Sequence, residues 1–148
     1  MMNYIKSISL LIVLSAIIVG LSKLLDSNFI LDFLDDDLIS ILITVFAINT
    51  ATNSLLIADL ANIAKSTDLK FKQSYEQIKF SIYEQLILIV LGFLLLMIRG
   101  SQINFESEIL FILDTLLVCV FAFSIDILRD TAMAVFKLIE FRNHNPLT

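Results

Sequence analysis

The sequence predicts an all-α integral membrane protein, a four-helix bundle in which helices 2, 3 and 4 extend beyond the bilayer into the cytoplasm. The first observation is composition: 58% of the 148 residues belong to the AVILMFWYC set and only 17% are charged, against about 25% charged residues in soluble domains. The second is a mean hydropathy of +0.91. The third is that four long apolar segments divide the chain, which we treat as a single transmembrane domain covering residues 1–148.

The first apolar segment runs from about residue 5 to residue 25, around the run LLIVLSAIIVG. A spanning helix needs about 20 mostly apolar residues, because it rises about 1.5 Å per residue across about 30 Å of hydrocarbon. Lys6 before the apolar run is also typical of a signal peptide, but no small-x-small cleavage site follows Gly20. We therefore expect this segment to be retained as the first span.

Three further segments are predicted to span the membrane, at about 38–58, 81–98 and 109–127. The acidic run DFLDDD ends immediately before Leu38. Carboxylates at that position are predicted to cap the second helix and to interact with the positive end of its dipole. A calcium loop would need ligands at alternating positions and a glycine turn, so we expect no metal here.

Helical character continues beyond the spans on one side of the membrane. A cytoplasmic helical hairpin is predicted at about 59–80, with its tip near 65–70 and with Ser66 or Thr67 as the N-cap of its second arm. A cytoplasmic C-terminal helix is predicted at about 128–142. This last helix is too apolar to be bare in water. It could pack against the hairpin, lie flat on the headgroups or form a partner interface.

The distribution of basic residues predicts the orientation, because cytoplasmic flanks are enriched in lysine and arginine. Two of the ten basic residues, Lys23 and Arg99, fall on one side. The other eight fall on the opposite side, so we expect both termini in the cytoplasm. These eight residues are Lys6, Lys65, Lys70, Lys72, Lys79, Arg129, Lys137 and Arg142.

The isoleucine- and lysine-rich, arginine-poor usage fits an AT-rich bacterial gene. We expect the protein in the inner membrane of a bacterial cell.

A stripe of polar residues lies in the second predicted span. Asn49 and Asn53 are four residues apart and Thr52 is adjacent, so all three lie near one helical face. Polar groups at membrane depth cost free energy unless they have partners. The stripe therefore either forms hydrogen bonds between helices or lines a water-filled passage between subunits.

Charged residues near the ends of the spans suggest two further groups. Asp114 in the fourth span is predicted to pair with Arg99, although a proton or cation relay is the alternative. Five charged residues at the inner boundary are predicted to form a salt-bridged collar, or alternatively a titrating gate. They are Asp59, Glu84, Asp126, Lys79 and Arg129.

Residues for catalysis are lacking in the sequence. His144 is the only histidine and Cys119 the only cysteine, and no hydrolase, phosphate-binding or zinc-protease motif occurs. We therefore expect no enzymatic activity, no cofactor and no metal. A net charge of −5 also argues against binding of duplex nucleic acid.

Two hypotheses for function remain. The chain could be an anchor that recruits a cytoplasmic protein and transmits a membrane event to it, with a candidate interface at Met133, Phe136, Ile139, Lys70 and Lys72. Alternatively it could be a cation-favouring channel or pore-forming effector. A single bundle is too narrow for a wide pore, so a channel would need a homo-oligomer, which we expect to be a tetramer with the polar stripe facing its axis.

The whole plan resembles the small four-span membrane proteins of bacterial antiphage defence systems, such as the Kiwa membrane subunits. The resemblance covers the four spans, the cytoplasmic ends and the helical extensions in SYEQIKFSIYEQ and TAMAVFKLIEF. It implies an oligomer that senses infection at the envelope and holds a cytoplasmic, DNA-binding partner. It carries no functional residues over to this chain.

Overall fold

The fold consists of four long α-helices, and no strand occurs in the part of the chain that the structure describes. That part, in a computed structural model, comprises residues 2–67, 71–101 and 106–144, with side chains described for 8–64, 71–101 and 106–142. The all-α prediction is confirmed. The helices are α1 (Met2–Leu24), α2 (Phe29–Thr67), α3 (Lys72–Arg99) and α4 (Ser107–His144).

Three of these helices, α2, α3 and α4, are long and apolar enough to cross a membrane. The apolar portion described for α1, Ile8–Leu24, is shorter. Helices α2 and α4 have 39 and 38 residues, and such helices are about 57 Å long, nearly twice the thickness of the hydrocarbon core. The three long helices therefore support the prediction of a membrane protein, while the fourth crossing stays a prediction.

The turn between α1 and α2 is closed by the backbone. The amide of Ser27 donates to the carbonyl of Ser22 at 2.9 Å, and that of Asp26 donates to Lys23 at 3.3 Å. This pair of bonds is the Schellman motif, which needs a residue in the left-handed region. Asp26 occupies that position with a φ of 53°, where aspartate is tolerated better than most residues.

The second helix begins nine residues earlier than predicted, at Phe29 instead of Leu38. The acidic run thus lies within the first turns of α2 and does not precede the helix as an N-cap. The physical reason is that Leu31 and Leu34 are buried, so an apolar face continues through the acidic run. Only Asp32 remains in the first turn, where a carboxylate interacts well with the helix dipole.

The predicted N-cap of the third helix was also wrong. Ser66 and Thr67 are the last residues of α2, and α3 begins at Lys72 with Phe71 in the N-cap position and no side-chain cap. Both arms of the predicted hairpin are helical, whereas its tip at 68–70 lies outside the described residues. The predicted C-terminal helix is the continuation of α4 without interruption.

Helices α2, α3 and α4 pack against one another, and α1 packs mainly against α4. Ser15 of α1 lies beside Cys119 of α4, and the Lys23 ammonium lies 4.9 Å from the centroid of the Phe111 ring. These two contacts make α1 antiparallel to α4. The core that all four helices share is apolar and includes Val19, Leu34, Leu38, Leu42, Leu117, Val118 and Val120.

The surface of the bundle is more apolar than parts of its interior. Ser15, Asn49, Gln85 and Ser124 are fully buried, whereas large apolar side chains such as Phe93 are more than half exposed. A soluble protein rarely exposes apolar patches of this extent. The same distribution is favourable in a bilayer, where polar groups must find partners inside the bundle and lipid covers the apolar surface.

Candidate functional site

A cluster of buried polar side chains joins α2, α3 and α4. Asn49 of α2 is 0% exposed and occupies the centre of this cluster. Its Nδ2 donates to Gln85 Oε1 at 2.7 Å and to Ser81 Oγ at 3.3 Å, both on α3. Its Oδ1 accepts hydrogen bonds from Thr131 Oγ1 of α4 and, at 3.3 Å, from Asn53 Nδ2. We call these five residues the polar cluster.

The predicted polar stripe of α2 is divided between two environments. Asn49 and Asn53 face the interior of the bundle, whereas the Thr52 hydroxyl donates to the Ile48 carbonyl of its own helix at 2.9 Å. The arrangement corresponds to the interhelical hydrogen bonding alternative. Both asparagine side chains are buried among this chain's own helices.

Sequence reasoning missed the partners on α3 and α4. Gln85 and Ser81 precede the apolar run of α3, and Thr131 follows Arg129 and Asp130, so each looks like a residue at a polar boundary. Ser81 and Gln85 are four residues apart on α3, which puts both side chains on one face of the helix. This spacing was a usable signal for a polar contact between helices. Which face points to Asn49 depends on the rotation of each helix, which the sequence does not specify.

An open groove begins beside the polar cluster and extends between the ends of the same three helices. Its volume is about 1080 Å³, close to the upper end of the range of about 300–1,000 Å³ for small-molecule sites. Asn53, Ser81 and Thr131 line the groove and are also members of the polar cluster. The other walls are mostly apolar, with charged groups among them. They include Leu56, Leu60, Phe71, Ile78, Leu138 and Phe141, with Lys79, Lys137, Glu76, Glu84 and Asp130.

An ion-pair triad joins the same three helices toward their other end. Arg99 Nε of α3 donates to Asp114 Oδ1 of α4 at 2.9 Å, which is the pair predicted from the sequence. Arg99 Nη1 also donates to Asp35 Oδ2 of α2, a partner that the sequence did not indicate. Asp114 is 4% exposed. A buried carboxylate needs such a counter-charge, because an unpaired one would cost several kcal/mol.

The triad and the polar cluster define two levels of the bundle. Fourteen residues separate Asp35 from Asn49 on α2, and fourteen separate Gln85 from Arg99 on α3. At about 1.5 Å per residue both separations are about 21 Å. The two polar levels are therefore in register on α2 and α3, with an apolar layer of Leu38, Leu42 and Gly92 between them. On α4 the corresponding residues Asp114 and Thr131 are seventeen positions apart, about 26 Å.

The residues of the predicted collar do not all come together in the contacts described. Arg129 pairs with Asp126 at 2.8 Å and with Asp130 at 3.0 Å, both on its own helix. The Lys79 ammonium lies 6.0 Å from the centroid of the Tyr83 ring on α3, and Asp59 is exposed. Glu84 is partly buried and lines the groove. The salt bridges of Arg129 therefore stay within α4 and do not tie helices together.

The candidate partner interface falls mostly on an exposed face of α4. Met133, Phe136 and Ile139 are 50%, 65% and 50% exposed, and Met133 also lines the groove. The helical repeat puts Phe136 on the side of α4 opposite Thr131 and Leu138, which line the groove. Lys72 is exposed at the start of α3, and Lys70 lies outside the described residues.

Comparison with known proteins provides no relative on which to base a function. No family model matches the chain, and neither the curated proteins nor the solved structures include a significant match.

Proposed function

We propose that this chain is a multi-pass protein of the bacterial inner membrane that recruits a cytoplasmic protein through the exposed face of α4 around Phe136. Four crossings are proposed because α1, at 23 residues, is about 34 Å long and runs antiparallel to α4 through the same layer. Eight basic residues against two support cytoplasmic termini. With that orientation, the groove and the exposed face of α4 lie on the cytoplasmic side.

The observation that carries the proposal is the apolar face of α4 beyond Arg129. From Arg129 to His144 the helix continues for about 22 Å. If the ion pairs of Arg129 mark the inner boundary, Phe136 and Ile139 lie beyond the hydrocarbon and yet are half exposed or more. Exposed apolar surface outside a membrane is characteristic of an interaction site.

The continuity of α4 bears on the three alternatives for this segment. A helix that crosses the bilayer and continues without a break cannot also lie flat on the headgroups. The face of α4 with Thr131 and Leu138 points to the groove between the ends of α2 and α3. The opposite face with Phe136 remains open to a protein partner.

The test is site-specific photo-crosslinking in cells that express the full-length protein. A photoreactive amino acid at Phe136 should yield a protein adduct, whereas the same residue at Phe93, in the apolar middle of α3, should react with lipid. Phe136→Glu should reduce the protein adduct formed from a photoreactive residue at Ile139 by at least about tenfold, because a charge on an apolar hot spot typically costs more than 1.4 kcal/mol of binding.

Lys137→Glu is the matched control. It introduces the same carboxylate one residue away, at a position that lines the groove and lies off the Phe136 face, so its adduct yield should stay near that of the unchanged protein. Absence of any protein adduct at Phe136 and Ile139 would refute recruitment through this face. An adduct only with a second copy of the chain would assign the face to a homo-oligomer instead.

The channel hypothesis has less support. A pore at the axis of a ring of subunits was expected to be lined by Asn49 and Asn53, and both are buried among this chain's own helices. Ion flux through proteoliposomes, abolished by Asn49→Leu and unaffected by Phe136→Glu, would favour the channel over recruitment.

The resemblance to antiphage defence subunits adds the proposal that the signal is a membrane disturbance during infection. Its test is phage plating on cells that carry the protein together with its neighbouring genes. Protection lost with Phe136→Glu and retained with Lys137→Glu would support a role for partner recruitment in defence, and equal protection by both variants would contradict it.

A further inference from the structure

The strongest unexplained feature is an unpartnered buried donor on Gln85, which lies one helical turn from the groove-lining residue Ser81. Gln85 is 0% exposed, and its Oε1 accepts from Asn49, but its Nε2 has no hydrogen-bond partner. A buried amide group without a partner costs about 1–3 kcal/mol in proteins, and more in hydrocarbon. Such an amide donor is expected to have a hydrogen-bond acceptor, either a polar atom of the protein or a water molecule.

Acceptors and space are both available next to this amide. Ser81 lies one helical turn from Gln85 on α3 and lines the groove, as do Asn53 and Thr131 from the facing helices. A bound water needs two to four polar partners and a cavity large enough for at least one water molecule. The groove of about 1080 Å³ supplies the room, and three helices supply the partners.

The opposite side of the polar cluster is closed to water. Leu38 and Leu42 are 0% exposed, and Leu42 packs so closely on α3 that a Cβ added to Gly92 would lie 2.9 Å from its Cδ1. Val120 of α4 lies at the same place, 3.6 Å from that position. We call these four residues the apolar plug. Apolar layers packed at this density hold no water.

We propose that the groove is a water-filled crevice that carries cytoplasmic water into the bilayer as far as Gln85 and ends at the apolar plug. Water in the crevice satisfies Gln85 Nε2 and solvates the groove-facing groups of Asn53, Ser81 and Thr131. The dry barrier then extends only from the polar cluster to the ion-pair triad, about 21 Å instead of about 30 Å. The inference rests on the membrane embedding in the proposed function but not on a protein partner.

The test uses single cysteines in a Cys119→Ala background, which removes the chain's one native thiol. A membrane-impermeant, charged methanethiosulfonate is applied to membrane vesicles of both orientations. Gln77→Cys at the groove mouth, Ser81→Cys at its floor and Leu56→Cys on its wall should all react from the same side. Leu42→Cys in the plug should react about 100-fold more slowly, because the reagent needs the thiolate, which an apolar site disfavours.

The reaction rates of the cysteine variants are compared with the reagent on the side of the membrane from which Gln77→Cys reacts. A wrong orientation would change that side, whereas a dry groove would leave Ser81→Cys and Leu56→Cys unreactive on it. If Gln77→Cys reacts while Ser81→Cys and Leu56→Cys both stay unreactive, the crevice does not exist. Reaction of these two cysteines with an uncharged maleimide but not with the charged reagent would mean that lipid or protein fills the groove, which also overturns the proposal. Size-exclusion chromatography of each variant checks that it remains folded, and Leu56→Cys serves as the floor probe should Ser81→Cys fail that check.

Discussion

Asn49 makes more interhelical hydrogen bonds than any other residue described in this chain. It joins α2 to Gln85 and Ser81 on α3 and to Thr131 on α4. Asn49 itself is 0% exposed, so its amide group depends on these partners for its hydrogen bonds. A single side chain thus links the helices that form the groove.

Replacement of Asn49 should therefore destabilise the fold more than replacement of a neighbouring polar residue. Asn49→Ala removes several interhelical contacts that average about 0.6 kcal/mol each in membrane proteins, so we expect a loss of about 2 kcal/mol in the free energy of unfolding. The control is Thr52→Ala, which removes only a bond to the Ile48 carbonyl of its own helix and should cost less than about 0.5 kcal/mol. Unfolding by a denaturing detergent measures the loss of stability for both variants. Equal losses would contradict the conclusion that Asn49 links the helices.

Arg99 should be required for the stability of the fold because its guanidinium pairs with the buried carboxylate of Asp114. Arg99→Leu leaves Asp114 buried without a partner, and we expect a loss of about 2–3 kcal/mol, below the 3–5 kcal/mol of fully buried pairs because Asp35 is partly exposed. The double variant Arg99→Leu/Asp114→Leu removes the orphan charge and should recover at least half of the loss. Arg129→Leu, which removes a guanidinium that is 62% exposed, should cost less than about 1 kcal/mol. A double variant no more stable than Arg99→Leu would exclude this explanation.

At the scale of helices, side chains of α2 pack closely on α3 at Gly92. A Cβ there would meet Leu42 Cδ1 at 2.9 Å, whereas a Cβ at Gly20 of α1 would meet nothing within 4 Å. Both glycines lie within helices, so they can be compared directly. Gly92 permits close packing between two helices, whereas Gly20 has no packing role in the described contacts.

Gly92→Ala should accordingly destabilise the bundle while Gly20→Ala does not. Overpacking of a dense core costs about 1–3 kcal/mol, which exceeds the gain of up to about 1 kcal/mol in helix propensity. We expect a net loss of about 1 kcal/mol for Gly92→Ala and no loss for Gly20→Ala. Leu42→Ala should relieve the clash, so the double variant should be less destabilised than the sum of the single changes. Thermal unfolding in detergent micelles measures this, and additive losses would indicate that Leu42 is not the residue that gives way.

At the scale of the whole molecule, the number of crossings determines the sides on which the termini lie. Four spans put both termini on one side, whereas three spans put them on opposite sides. The apolar portion described for α1 is the shortest of the four, so the position of the N-terminus is the informative measurement.

Epitope tags at the two ends should be protected together in intact cells. A tag behind Thr148 and a tag before Met1 should both resist protease added outside cells, and both should be cleaved in inside-out vesicles. The physical reason is the preference of basic flanks for the cytoplasmic side, where eight of the ten basic residues are predicted to lie. Cleavage of only one tag from outside would mean that α1 does not span, and cleavage of both would reverse the orientation.

The sequence pattern predicted some helices and contacts of this chain and did not predict others. It predicted helices in all four places and the pairing of Arg99 with Asp114. It misplaced the start of α2, because the carboxylates of DFLDDD were interpreted as a helix boundary when Leu31 and Leu34 continue the buried face through them. It did not find Asp35 as the second partner of Arg99, since residues 64 positions apart meet only when the helices pack.

By itself, the amino-acid sequence determined that this chain is helical and belongs in a bilayer, because composition and the length of apolar runs depend on no contact between distant residues. Only the tertiary structure decided that Asn49 and Asn53 face inward to Gln85 and Thr131, and that a groove opens beside them. Those outcomes depend on the rotation and register of each helix, which are set by close packing at sites such as Gly92 and Leu42. Helices of nearly uniform apolarity offer little amphipathic pattern from which rotation can be predicted.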